Sequence, residues 1–295
     1  MLFRSTGTQN IAMGYAALNL NTYGLQNTAL GHYAMSSTTT GSYNTAVGYY
    51  GLQATTTGQQ NTAVGRSTLQ LNTVGSYNTG IGTAALANNK SGNNNTAVGY
   101  AALYYSDSTY YNTAVGANAM YYNTYGDNNT AIGYAALVNN VTGFHNVAIG
   151  YNSLQGNITG QANVGVGSGT LYTNTSGMTN TAVGTYSMYN NTIGNNNVAL
   201  GYAAFYSNKS GSGNVAIGRD AMYLTDNTSY NVAIGYRSMY NTTTGDYNTA
   251  VGYQSLYTNT NGSHNSAIGM YALYSNTTGT TNVAVGESSL FTNTY

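Results

Sequence analysis

The chain has 295 residues, only 4% of them charged, with six basic and six acidic side chains and no Pro, Cys or Trp. Zero net charge spread this thinly argues against nucleic-acid binding and docking on anionic lipid. No apolar run is long enough to insert into a membrane, and missing Cys excludes a disulfide framework and a thiolate metal site.

The first residues, Met1 to Thr6, lack the apolar run of a secretory signal. From Asn10 onward one tripeptide family, Asn-Thr-Ala or Asn-Val-Ala, sets the register. Its Asn recurs every 17 residues, seventeen times, through Asn95, Asn112, Asn129 and Asn146 to Asn282, without insertion or deletion. A repeat this strict decides the architecture before any single residue does. We count positions in each repeat from this anchor Asn.

Position +4 is Gly in every copy, including Gly99, Gly116, Gly133 and Gly150. Position +2 is Ala except at Gly80 and Gly165, and position +14 is Gly except at Thr109 and Thr228. Only Val, Ile, Leu or Met stands at +3 and only Leu, Met or Phe at +8, which reads as two core columns. Gly, Asn and Thr interrupt every copy too often for a helix. Short runs such as 95–98 and 101–103 read instead as two strands and two turns per copy. The predicted fold is all-β, a parallel β-solenoid of seventeen 17-residue coils forming a single domain over 1–295. At one strand spacing per coil it would be a rod of roughly 80 Å. Equivalent residues then lie above one another, so the anchor Asn column predicts an amide ladder.

The charges test that register. Lys90 and Asp107, Lys209 and Asp226, and Asp220 and Arg237 are each 17 apart and predicted to pair on adjacent coils. Lys90, Asp107, Asp127, His145 and Thr109 recur 119 residues later as Lys209, Asp226, Asp246, His264 and Thr228, pointing to duplication of a seven-repeat block.

The chain predicts no catalytic residue, metal site or cofactor. Asp127 with His145, and Asp246 with His264 beside Ser263, are diagonal neighbours in the predicted coils, but a rod of small side chains offers no pocket that excludes water. The six acidic residues do not recur in one column, as a calcium-binding β-roll requires. Residues 165–169, Gly-Val-Gly-Ser-Gly, match a phosphate loop only superficially, since no helix follows.

Two stripes exceed what a scaffold needs. At +9, Tyr172, Tyr189, Tyr206, Tyr223, Tyr240, Tyr257 and Tyr274 are consecutive and Phe291 continues them, an aromatic ladder that alternation points outward as a partner surface. At +1, Thr28, Thr45, Thr62, Thr79, Thr96, Thr113 and Thr130 are consecutive before Val147 and Val164 take over. A Thr array on a flat solenoid face suits ice binding, whereas the Val positions suit a half-buried or subunit-facing column.

The motif Asn-Thr-Ala-Val-Gly-Tyr-x-Ala-Leu, at 95–103 and with Ile for Val at 129–137, resembles the head repeats of trimeric autotransporter adhesins, and similar repeats occur in phage tail-fibre-like proteins. The resemblance covers nearly the whole chain. It implies a left-handed β-roll, homotrimeric assembly, attachment to surface glycans or host and matrix proteins, and an extracellular, cell-surface or virion location. The functional expectation is therefore a non-enzymatic fibre or adhesin rod. The sequence also starts inside one repeat and stops inside another, and open solenoid ends predict an axial filament as the alternative.

Overall fold

The computed structural model describes residues 6–294, which form two compact units, one up to His145 and one from Asn146. The first contains eight three-residue strands, β1 (Ile11–Met13) to β8 (Thr130–Ile132), and the second nine, β9 (Val147–Ile149) to β17 (Val283–Val285). Within each unit every strand pairs in parallel with the next in chain order, displaced by one repeat, as Thr96 with Thr113 or Val198 with Val215. Each unit is thus a parallel β-solenoid with one repeat per coil, and no helix occurs among the described residues.

Only one strand forms per coil, not the predicted two. Residues 101–103 are a turn in which Ala101 and Leu103 take left-handed backbone angles, φ 51° and 54°. Their N–H groups point opposite ways, Ala101 donating to the Thr83 carbonyl (3.0 Å) and Leu103 to that of Ala119 (2.9 Å). The left-handed region disfavours β-branched side chains, which explains why +8 admits Leu, Met and Phe but never Val or Ile. Those +8 side chains form the core, with Leu86, Leu103, Phe205 and Met222 wholly buried.

The second predicted core column is not in the core. Along a strand the side chains alternate, and Ala at +2, wholly buried at Ala97 and Ala216, takes the inward place. The +3 residues therefore face out, with Ile81 41% and Ile234 37% exposed. The half-buried +1 residues accompany them, giving a flat outer face of Thr or Val beside Val or Ile.

Close packing accounts for the glycine columns and their exceptions. Gly99 sits at φ 136°, a region closed to side chains, and a Cβ there would lie 2.6 Å from the Gly116 carbonyl oxygen on the next coil. At +2, a Cβ on Gly80 would meet the Thr68 methyl at 2.6 Å, and one on Gly165 the Ser153 hydroxyl at 2.7 Å. At these two positions the missing Ala methyl leaves room for Thr68 and Ser153 at +7, although Ser187 and Ser238 at +7 are accommodated beside Ala199 and Ala250.

Candidate contact surface

Three polar columns hold the coils in register. In the first, the anchor Asn column, each side chain acts in both directions. Asn197 takes its backbone N–H to Asn180 Oδ1 (3.0 Å) and donates Nδ2 to the Gly211 carbonyl (2.9 Å), while its own Oδ1 accepts the Asn214 N–H (2.9 Å). Asn95 and Asn112 repeat this in the first unit, where the Asn129 N–H donates to Asn112 Oδ1 at 2.9 Å. In the second, Asn146 Oδ1 accepts the Asn163 N–H at 3.0 Å and Asn146 Nδ2 donates to the Gly160 carbonyl at 2.9 Å. The Gly99, Gly116 and Gly150 positions lie on the strand-to-turn bend beside these columns, all at φ 130–136°, and Gly133 shares the same backbone, φ 133°.

The second column, at +11, escaped the sequence reading although only Asn, Thr or Ser occupies it. Asn174, Asn191 and Asn208 are wholly buried and linked Nδ2 to Oδ1 at 2.8 Å, each Asn also donating to the +14 carbonyl of its own coil. This column explains the two Thr exceptions at +14. A Cβ at Gly92 would lie 2.3 Å from the Asn89 side-chain oxygen. Where Thr109 and Thr228 do carry a Cβ, +11 is Ser106 or Thr225, whose hydroxyl turns away to donate to the Leu103 or Met222 carbonyl.

The third column, at +15, accounts for the acidic residues beside the histidines. Asp127 Oδ1 accepts the Tyr110 N–H and Asp246 Oδ1 the Ser229 N–H, both at 2.7 Å. Ser263 Oγ in turn accepts the Asp246 N–H at 3.1 Å. His264 is exposed and stacks on Tyr247 at 5.1 Å, and His145 is exposed with its ring edge-on to Phe144 at 5.2 Å. The carboxylates and the Ser263 hydroxyl thus bind backbone of the neighbouring coil, and the imidazoles contact neighbouring rings.

All three predicted ion pairs meet: Lys90 Nζ to Asp107 and Lys209 Nζ to Asp226, each at 3.0 Å, and Arg237 Nε to Asp220 at 3.4 Å. The first two are about half exposed and contribute only ~0–1 kcal/mol each. Asp220 differs, because its carboxylate is 9% exposed and Arg219 also approaches it at 3.6 Å. Arg219 lies over the Tyr202 ring and Arg237 over Tyr236 and Tyr240, at 5.1–5.5 Å. This cluster borders the aromatic ladder.

In the ladder itself, Tyr172, Tyr189, Tyr206, Tyr223, Tyr240, Tyr257, Tyr274 and Phe291 stack face to face, with centroids 4.8–5.3 Å apart and planes within 17°. The tyrosines are half-buried, each ring covering its neighbour, so the stripe presents ring edges and hydroxyls. Burial first, then neighbouring phenols, pushes the Tyr189 and Tyr206 hydroxyls above the ordinary tyrosine range. Burial raises Tyr223 and Tyr240 as well, against the pull of Arg237 in the latter. A further groove of about 450 Å³, shallow and open, lies beside the Lys90 and Asp107 pair and is walled by Tyr105 and Tyr122.

Neither family models nor curated proteins nor solved structures match the chain.

Proposed function

We propose that this chain is a non-enzymatic structural protein, the rod of an extracellular fibre or surface adhesin on a cell or virion. The observation that carries the reading is the division of labour in each coil. Buried Asn columns consume polar groups internally and fix the register. The aromatic ladder and the outer Val and Ile face are not needed for that purpose and are left to contact something else. Stacked phenol edges beside Arg219 and Arg237 suit surface glycans or host and matrix proteins, and the apolar outer face suits copies of the chain itself, as a homotrimer or an axial filament.

Electron microscopy of the purified protein at several concentrations, together with retention on glycan- and matrix-coated surfaces, tests this. Rods three chains thick that bind such surfaces support it. Long continuous filaments would make axial assembly the function, and single chains that bind nothing would overturn the reading. Ice binding is the second reading, favoured by the first unit, where a Thr column lies outward beside Val and Ile. It predicts thermal hysteresis, and normal freezing dismisses it.

A further inference from the structure

Two phenols couple oxidatively when a ring carbon ortho to each hydroxyl meets its counterpart while both rings have lost a hydrogen atom. Random encounter of surface tyrosines makes this slow and unselective. In the ladder the encounter is already arranged: seven tyrosines come from the same position of consecutive coils and stack nearly parallel, with ring centroids 4.8–5.3 Å apart. The Asn columns fix which ring faces which. Half-burial leaves the hydroxyl edges open to a one-electron oxidant.

Composition narrows the competing routes. The chain has no Cys and no Trp. The methionines nearest the ladder, Met188, Met222 and Met239, are wholly buried in the core. The exposed Met178 and Met270 lie outside the ladder column, so on the stripe itself tyrosine is the oxidisable side chain.

We propose that the ladder is an oxidative cross-linking site at which neighbouring coils of one chain become joined by dityrosine, with hydrogen peroxide acting through a haem peroxidase as the oxidant. Each of two stacked phenols gives up one hydrogen atom, and the two radicals form a Cε–Cε bond. The hydrogens on those carbons return to the oxygens and restore both phenols. One peroxide becomes two waters, and the chain loses two hydrogens per bond. Phe291 has no phenol and ends the reactive stack. The cross-link would add a covalent staple to coils otherwise held by hydrogen bonds, ion pairs, core packing and ring stacking. The inference stands independently of the fibre or adhesin reading.

The test is to treat the full chain, dilute enough to disfavour encounters between molecules, with a haem peroxidase and hydrogen peroxide. The products are read by dityrosine fluorescence, intact mass and peptide mapping. The expected product is a single-chain species lighter by two hydrogens per bond, with cross-linked peptides that join ladder tyrosines 17 residues apart. A variant carrying Tyr189→Phe, Tyr223→Phe and Tyr257→Phe leaves no two ladder tyrosines adjacent. Phe291 already stacks on Tyr274 at 5.0 Å, so the column accepts this ring. The variant should lose the ladder cross-links, whereas Tyr23→Phe, Tyr43→Phe and Tyr125→Phe, outside the ladder, should not. Products that join only separate chains, or wild-type cross-links mapping without preference for the ladder, would overturn the proposal. The wild-type map decides the matter even if the triple variant fails to fold.

Discussion

Removal of one amide from the anchor column is the sharpest test of what holds the coils together. In Asn197→Ala, the Asn214 N–H loses its acceptor and the Gly211 carbonyl loses the Nδ2 donor, both inside a wholly buried column. A buried backbone group left unpaired costs about 1–3 kcal/mol, so two give roughly 2–6 kcal/mol before any cavity contribution. Asn197→Asp separates the two losses. It keeps an acceptor for Asn214 but sets a carboxylate oxygen against the Gly211 carbonyl and Asn180 Oδ1. Burial and those facing oxygens should raise its pKa in the fold above the unfolded value of about 3.9. The Asp variant should therefore be unstable at neutral pH and recover as the pH falls through that raised pKa, where the protonated acid donates again. Because coils in a solenoid interact with their neighbours, opening is expected to be local. The assay is accordingly hydrogen exchange at the Asn214 amide alongside urea unfolding, with Asn190→Ala as a control outside the columns. If Asn197→Ala unfolds within about 0.5 kcal/mol of wild type, the range usual for surface changes, and leaves the Asn214 amide protected, the ladder is not what fixes the coils.

Three further outcomes follow from the geometry. Leu103→Met should cost less than about 1.5 kcal/mol by volume matching. Leu103→Val should cost distinctly more, because a β-branched side chain must adopt φ 54°; equal midpoints in urea would contradict the turn assignment. Alkaline titration followed by phenolate absorbance should show Tyr189, Tyr206, Tyr223 and Tyr240 ionising above the ordinary tyrosine range, because burial disfavours their phenolates. Since their folded pKa values are raised, their contribution to stability is intact below about pH 10, where unfolded tyrosine titrates, and is lost as the pH climbs from there toward the folded values. A single sharp tyrosine titration with pH-independent stability would rule this out. Finally, Ile234→Thr, on the outer face, should destabilise the isolated chain by less than about 1.5 kcal/mol, well short of the 2–5 kcal/mol usual for a core truncation such as Leu256→Ala; comparable losses would return the +3 column to the core.

Much of the fold was legible because period and register are sequence properties. The 17-residue spacing gave the parallel pairing and all three ion pairs before any coordinates. What went wrong was local. Val98 and Leu103 read alike because each stands in a column that admits only apolar residues, yet one lies on the outside of a strand and the other fills the core from a left-handed turn. The signal that separates them was present, since +3 is dominated by β-branched residues and +8 contains none. The +11 column is harder to read for a different reason: Asn, Thr and Ser crowd all turns of this chain, so its restriction to those three residues stands out little until burial marks Asn191. At the ladder, sequence identified every ring, but alternation overstated the exposure, because it does not include the cover each tyrosine gives the next.

The three hydrogen-bonded columns also govern how such a gene can change. Each link joins atoms one repeat apart, so a single inserted or deleted residue would break the anchor, +11 and +15 columns together at that coil. Removing or adding whole repeats leaves every remaining link with an equivalent partner. Length is therefore expected to drift in steps of 17 residues, and the 119-residue spacing from Lys90 to Lys209 is seven such steps. Substitution is free on the outside of the coil while its length is quantised, so lineages of this protein should differ in copy number and surface chemistry long before they differ in repeat size.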